Sequence, residues 1–406
     1  MNCLIFEPDV TGHRLQHVRH LAEALLDVDC RVTIVLQSDC RSRAEYRVHL
    51  GGLESRFDLR PVLDPRQGVH LAARRRRVAE LLETTSTIRS DWCFVPYADG
   101  ITQAAALESL LHGVGPLQRI PIEGQIMRGK YGYPPSSIAD RWNASLNRWL
   151  TRRSPWRVTH VLDPFALKGL EPIPDESRFR LIPEPVEPMP SLERREARTT
   201  LQIPIEGRYI SVVGGIGPRK GIDLLMAAFA EAKLAPDDRL LLVGKVEREI
   251  RELLEGRYGK LLREGRIVTA DRYVTDHELH CGFLAAEVVA VSYPRQVGSS
   301  GALVRAAAAG RAVLASRFGW IGWATDTFKL GVTVNVSNVD EYARAVERAL
   351  AAGDDYRPTL AAERFCRYHT VANQKAHWLA DISRYGGVQL DRIAGRIDWS
   401  WVMEAV

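Results

Sequence analysis

The sequence has few cysteines, and none of them stand in pairs. Its 406 residues contain six cysteines, widely separated, with no Cys-x-x-Cys motif. A disulfide framework or a structural zinc site would need closer, paired spacing. We therefore expect buried, reduced thiols in a cytoplasmic protein and no metal site.

Long apolar runs and a strong charge of one sign are also missing. No run approaches the roughly 20 residues that span a bilayer, and residues 1–6 have the pattern of a core strand rather than a signal peptide. The net charge of +5 is too small to indicate nucleic-acid binding and suits small anions. Residues 148–157, which begin inside a predicted helix at 143–150, combine arginines with Trp149 and Trp156. They are either a solvated surface or a peripheral contact with anionic lipids at the inner membrane face.

What the sequence does contain is a regular alternation of apolar strands and amphipathic helices. This alternation runs through residues 1–184, pauses at a proline-dense linker and resumes through residues 191–370. Such a pattern predicts parallel sheets covered by helices. We therefore predict an α/β fold with two Rossmann-like doubly wound domains. Residues 371–406 are predicted to form a last helix and a tail that cross back to the first domain.

One stretch, residues 288–316, reads as strand, glycine-containing loop, helix and strand. Loops at the carboxyl ends of parallel strands are where open α/β sheets bind ligands. The loop contains Gly298, Ser299, Ser300 and Gly301 directly before the helix, and a helix N-terminus attracts anions. The pattern predicts a phosphate site, and the alternative is a tight turn before a surface helix.

These motifs resemble the retaining, nucleotide-sugar-dependent glycosyltransferases of the GT-B fold, glycosyltransferase group 1. Gly12-His13 looks like the family's opening glycine loop. Residues 213–225 (VGGIGPRKGIDLL) look like its G-R-x5-K-G segment, and residues 293–310 look like its donor segment, P-S-x-x-E-G-F-G-x4-E-A-x-A-x-G. The resemblance implies two domains facing across a cleft, an acceptor-side first domain and a donor-binding second domain.

The departures from the family pattern concern charge. Val297 and Arg305 stand where the donor segment has its two glutamates, and Gly215 replaces the family's arginine, whereas Arg219 and Lys220 remain. The resemblance implies that this pair and the glycine-serine loop hold the donor diphosphate. Arg305 could replace the lost charge, because a guanidinium binds phosphate bidentately. The alternative is a surface arginine paired with an acid.

The catalytic candidates lie in the first domain. The family often places a histidine near the transferred sugar, and the corresponding residues 122–125 contain none. Glu123 is a candidate polar contact or a plain carboxylate at a loop end. His13, beside the substrate-binding candidate Gly12, is a candidate cleft residue or a helix cap. The resemblance implies catalysis by electrostatic stabilisation of the leaving diphosphate, without a metal or a cofactor.

The sequence thus predicts a glycosyltransferase that moves a sugar from a nucleoside-diphosphate sugar to an unidentified acceptor, with retention and without metal. The acceptor could be a small molecule, a glycan or a lipid-linked molecule, and no nucleic-acid partner is expected. A first alternative is a catalytically degenerate glycosyltransferase-like binding or partner protein. A second is a nucleotide-sugar epimerase of the same fold, which would need clustered carboxylates and histidines.

Overall fold

The computed structural model describes residues 1–11, 14–64, 70–113, 119–170 and 178–386. They fold into two compact units. Unit 1 contains the described residues of Met1–Pro183 and those from Val371 onward, and unit 2 contains Glu184–Thr370. Each unit has one parallel sheet with helices between the strands, and the predicted α/β fold class is confirmed.

Unit 1 is built on a seven-stranded sheet in the order β3-β2-β1-β4-β5-β6-β7. Its strands are β1 Asn2–Phe6, β2 Arg31–Gln37, β3 Asp58–Leu63, β4 Trp92–Val95, β5 Ile122–Ile126, β6 Val158–Val161 and β7 Phe179–Leu181. Its helices are α1 Arg14–Leu26, α2 Ala44–His49, α3 Leu71–Thr87, α4 Thr102–His112, α5 Ile138–Arg152, α6 Pro164–Lys168 and, at the end of the chain, α16 Val371–Ile382. The direction of strand order reverses between β1 and β4.

The central strands of unit 1 are buried on both faces. Along β4, Trp92 and Phe94 enter one apolar cluster, while Cys93 and Val95 enter another. Successive strand residues point to opposite faces, so a run of four apolar residues fits a sheet covered on both sides. Trp378 of α16 packs in the first cluster, so the last described α-helix belongs to unit 1.

Unit 2 has a six-stranded sheet in the order β10-β9-β8-β11-β12-β13. Its strands are β8 Tyr209–Val213, β9 Arg239–Val243, β10 Ile267–Ala270, β11 Val288–Val291, β12 Ala312–Ser316 and β13 Gly331–Val334. Its helices are α7 Arg194–Leu201, α8 Ile222–Glu231, α9 Arg248–Glu255, α10 Gly259–Arg263, α11 Asp276–Leu284, α12 Gly301–Ala308, α13 Gly319–Thr327, α14 Val339–Gly353 and α15 Leu360–Tyr368. All residues of β8 and β11 are buried, and strand order reverses between these two strands.

Two details differ from the sequence expectations. Helix α5 begins five residues before the predicted start, because the Ser137 side chain caps it by accepting a hydrogen bond from the Asp140 amide, at 3.0 Å. Trp156, expected at the surface beside Trp149, is 1% exposed and donates to Thr102 Oγ1 at 3.0 Å. The exposed basic surface therefore does not extend through Trp156.

Candidate functional site

The candidate site lies where the strand order of unit 2 reverses. We use the name unit 2 edge for the two loops that follow β8 and β11, residues 214–221 and 292–300, together with the start of α12. Crevices at such a reversal, outside the carboxyl ends of the strands, are where doubly wound sheets bind ligands. The sequence motifs at residues 213–225 and 293–310 both fall here.

Lys220 is the most buried cation of the unit 2 edge. It ends a 3₁₀ turn, Pro218–Lys220, and is only 6% exposed. Its ammonium donates a hydrogen bond to the backbone carbonyl of Val213, at the end of β8. Burial, reinforced by the charge of Arg219 and opposed by Glu247, lowers the pKa of Lys220 to about 7. The site therefore holds a lysine that binds or releases a proton near neutral pH.

The two loops of the unit 2 edge approach each other closely. Gly221 has a φ of +66°, and a Cβ there would lie 2.8 Å from the carbonyl oxygen of Ser292, so a side chain would force the loops apart. The ring of Tyr293 lies beside both basic residues, with its centroid 5.9 Å from Lys220 Nζ and 5.5 Å from Arg219 Cζ. The structure thus brings the lysine loop and the donor segment together.

Helix α12 begins at this meeting point. Ser300 is its N-cap and accepts a hydrogen bond from the amide of Leu303, at 3.4 Å. The Ser300 side chain also hydrogen-bonds to Tyr293, whose pKa burial raises to about 12. The predicted phosphate loop therefore leads into a helix N-terminus, whose partial positive charge lies where the two loops meet.

Arg305 folds back over the first turn of α12. A Cβ on Gly301 would lie 2.7 Å from Arg305 Nη1 and 3.2 Å from Glu184 Oε1, so glycine leaves room for both groups. Ser299 Oγ donates to Glu184 Oε2 at 2.5 Å. Burial raises the pKa of Glu184, while Ser299 and Arg305 lower it. Sequence reasoning missed Glu184, because it belongs to the proline-dense stretch that reads as a linker.

The charges of the unit 2 edge cations are only partly compensated, by Glu247 near Lys220 and by Glu184 near Arg305. Within the described ranges, neither Arg219, Lys220 nor Arg305 forms an ion pair. Arg219 donates instead to the neutral side chain of Gln296, at 2.9 Å, and Arg305 Nε is buried without a hydrogen-bond partner. Cations at a helix N-terminus repel its dipole. An anion bound among them would relieve both kinds of repulsion.

The corresponding position in unit 1, which we call the unit 1 edge, consists of the side chains that follow β1 and β4. Arg14 lies 3.0 Å from Asp9 and 3.6 Å from Glu7, and it stacks on Tyr97 at 3.9 Å. Glu7 is fully buried, and burial raises its pKa to about 8 although Arg14 lowers it. Sequence reasoning passed over this cluster. The available signal was a carboxylate directly after the first strand.

Of the two catalytic candidates, Glu123 and His13, the described residues include only Glu123, and they also leave out the substrate-binding candidate Gly12. Glu123 is fully buried in β5, where His160 Nε2 lies 2.8 Å from one carboxylate oxygen and the Tyr385 hydroxyl donates to the other at 2.9 Å. Asp381, whose pKa burial raises to about 6, joins this network from α16. In this conformation the Glu123 network connects β5 to α16 and to Tyr385, which follows that helix. The catalytic role of Glu123 stays a prediction.

Part of unit 2, including the unit 2 edge, is similar to a known family. The profile of the family described as glycosyl transferases group 1 matches residues 207–352, which include both loops of the unit 2 edge. No curated protein matches the sequence significantly. The family match therefore covers most of unit 2, and similarity over the whole chain comes from solved structures.

Those structures share the fold at low sequence identity. HepE (Alr3699) from Anabaena, crystallised with UDP, has a TM-score of 0.69 at 13% identity over 95% of this chain and 100% of that one. Sucrose-phosphate synthase from Thermosynechococcus elongatus has a TM-score of 0.69 at 19% identity over 95% and 98%. The UDP-forming α,α-trehalose-phosphate synthase from Burkholderia xenovorans has 0.61 at 14% over 94% and 99%. The chain therefore has the GT-B fold, and residues 207–352 of its second unit match the model of the group 1 glycosyl transferases.

Proposed function

We propose that the protein transfers a sugar from a nucleoside-diphosphate sugar to an acceptor hydroxyl, with retention and without a metal ion. The observation that carries the proposal is the group of cations near the start of α12: Arg219 and Lys220 donate to neutral partners, and Arg305 Nε is buried without one. A diphosphate supplies the missing negative charge, and loop amides, Ser300 and the guanidinium of Arg305 supply donors for its oxygens. UDP is the first nucleotide to test, because HepE was crystallised with it.

In this proposal the protein acts on the leaving group. As the bond to the sugar breaks, negative charge grows on the diphosphate, and fixed cations stabilise it most in the transition state. Lys220 would be protonated when the diphosphate is bound, because the anion raises the pKa that burial has lowered. These cations would do the electrostatic work that a divalent ion does in other phosphate-transfer sites.

Glu184 supplies a carboxylate in a site whose donor segment carries Val297 and Arg305. It lies beside Ser299 and Arg305 and keeps hydrogen-bond acceptors close to the N-terminus of α12. A carboxylate accepts hydrogen bonds from hydroxyls, which an arginine cannot do. We assign Glu184 to a hydroxyl of the donor, in place of a carboxylate from the donor segment itself.

The proposal is tested by nucleotide binding to the wild type and to Lys220→Met. UDP, GDP and ADP are compared by thermal shift and calorimetry, followed by release of UDP from UDP-sugars. One of the three should raise the melting temperature. Lys220→Met should weaken its binding about 100-fold, near the upper end for one charged hydrogen bond. Met fills the space of the buried lysine stem, so the fold should persist.

Lys260→Met is the matched control, because Lys260 is 81% exposed on α10 of the same unit. It should bind nucleotide like the wild type. Equal affinities for Lys220→Met and the wild type would refute the phosphate role. Tight nucleotide binding with neither transfer nor hydrolysis, across a panel of donors, would instead favour a glycosyltransferase-like binding protein. The replaced donor glutamates give that second function its support.

A further inference from the structure

Helix α5 of unit 1 exposes a continuous apolar stripe. Ile138 and Trp142 are each 76% exposed, Leu146 is 55% exposed and Trp149 is 42% exposed. No other helix or strand in the described ranges exposes more than two large apolar side chains. Exposed clusters of this kind mark surfaces that bind a partner or a membrane.

The four side chains fall on one face of the helix. They are spaced by four, four and three residues, so at 3.6 residues per turn they lie within about 80° of each other. Leu150 and Thr151 of α5 are buried, and Ala144, Ser145 and Asn147 are partly buried, so the helix rests on unit 1 mainly through the side opposite the stripe. The stripe is therefore a surface feature and not part of the core.

Arginines line one side of this stripe. Between residues 138 and 157 there are five arginines and one aspartate. The helical positions of Arg141, Arg148 and Arg152 fall within about 40° of each other, next to the stripe. Neither Arg141 nor Arg148 forms an ion pair with any residue that the structure describes, and Arg153 lies over the ring of Trp149 at 4.2 Å.

We propose that α5 is an interfacial helix that docks this chain on a bilayer containing anionic lipids. Tryptophans and aliphatic side chains would enter the boundary between headgroups and acyl chains, while the arginines bind lipid phosphates. The described part of the chain has no helix long and apolar enough to cross a membrane, and interfacial docking needs none. The docking surface is the face from Ile138 to Arg153, which excludes the buried Trp156.

Charge selects the membrane over the other occupants. A second copy of the chain would bring a row of arginines against another row, and like charges that face each other weaken an interface. An anionic bilayer neutralises every arginine on the exposed side at once. Each basic residue near such a surface strengthens binding, and the exposed apolar area adds to that.

The experiment is vesicle flotation of the full chain. Vesicles of phosphatidylcholine alone are compared with vesicles that contain about 30% phosphatidylglycerol, an anionic lipid. The wild type should float with the anionic vesicles, bind the neutral ones at least about tenfold less and detach as salt rises. Trp142→Ser/Trp149→Ser and, separately, Arg141→Gln/Arg148→Gln should each weaken binding about tenfold or more. Their melting temperatures should change little, because Arg141, Trp142 and Trp149 are exposed and Arg148 is only partly buried.

Tyr273→Ser is the matched control, because Tyr273 is 90% exposed in unit 2; it should float like the wild type. The proposal is overturned if the wild type does not float with anionic vesicles, or if both doubly substituted variants bind them as strongly as the wild type. It is also overturned if sedimentation shows a dimer that Trp142→Ser/Trp149→Ser dissociates, since the stripe would then bind a second copy. Nucleotide binding plays no part in this assay, so its outcome is independent of the proposed sugar transfer.

Discussion

The unit 1 edge and the unit 2 edge have the same topology and opposite charge balance. Both lie at the carboxyl ends of the two strands where the sheet order reverses. In unit 1, Arg14 lies between two carboxylates, Glu7 and Asp9. In unit 2, Lys220 and Arg219 use neutral partners, a backbone carbonyl and a glutamine.

This difference indicates which kind of ligand suits each edge. A paired cation has little electrostatic energy left to offer, whereas a desolvated and unpaired one gains from any nearby anion. This contrast therefore supports the unit 2 edge as the site of the proposed diphosphate. At the unit 1 edge Arg14 is held by Glu7 and Asp9 and lies over the Tyr97 ring, so it has less to gain from an added anion.

The strongest test of this contrast after the Lys220 substitution is the pH dependence of UDP binding. Free Lys220 has a pKa of about 7, and a bound diphosphate raises it. Above pH 7 the free protein must therefore take up a proton to bind. UDP affinity, measured by calorimetry, should fall by up to about tenfold per pH unit from pH 7 upward. The phosphate groups of UDP finish ionising near pH 6 to 7, so their titration does not account for a fall at higher pH.

Two observations sharpen the pH prediction. Calorimetry at pH 8 in buffers of different ionisation enthalpy should show uptake of a fraction of a proton by the wild type. Lys220→Met should show neither the uptake nor the slope, because it lacks the titrating group. A wild-type affinity that stays flat between pH 7 and 9 would mean that Lys220 does not contact the diphosphate.

The sequence predicted the fold and one of the two edges for a physical reason. Short apolar strands and amphipathic helices are local patterns, and the glycines and Lys220 of residues 213–225 form one continuous segment. Glu184 and Arg305 are 121 positions apart in the sequence, and only the folded chain places them together. No local pattern marks such a pair, and the prolines around Glu184 indicate a linker.

The same reason explains what was misread in unit 1. Glu123 follows the pattern of a loop-end carboxylate, but Ile122–Ile126 forms a central strand, and its partners His160 and Tyr385 come from distant parts of the chain. Trp156 looked like a surface residue because arginines surround it in sequence. Neighbours in sequence determine local structure, whereas burial is decided by elements that pack from elsewhere.

A smaller effect on binding is expected from Arg305→Gln. This change removes one guanidinium from the N-terminus of α12 and should weaken UDP binding about five- to tenfold, as for one charged hydrogen bond. Burial and the charge of Arg305 lower the pKa of His280 on α11, so NMR titration should show that pKa rising in the variant. Arg344→Gln, an exposed position on α14, should change neither quantity. Tighter UDP binding by Arg305→Glu would contradict the assignment of Arg305 as a phosphate ligand.

The smallest effect on UDP binding should come from Arg14→Met, the cation of the unit 1 edge. If the charge contrast is correct, UDP affinity changes less than about twofold, because Arg14 is already paired. Stability should fall instead by about 1–2 kcal/mol near pH 8, a value reduced for the partial exposure of Arg14. Glu7 has a higher pKa folded than unfolded, so its contribution to stability declines as pH rises from about 4.5 toward 8.

Without Arg14 the pKa of Glu7 rises further, and this decline extends to higher pH. The stability lost by Arg14→Met should therefore be greater at pH 8 than at pH 5, as measured by urea unfolding at both values. Arg47→Met, an exposed position on α2, should show no such difference. A large loss of UDP affinity in Arg14→Met with little loss of stability would mean that the unit 1 edge also binds the diphosphate. The division of labour inferred from charge balance would then be wrong.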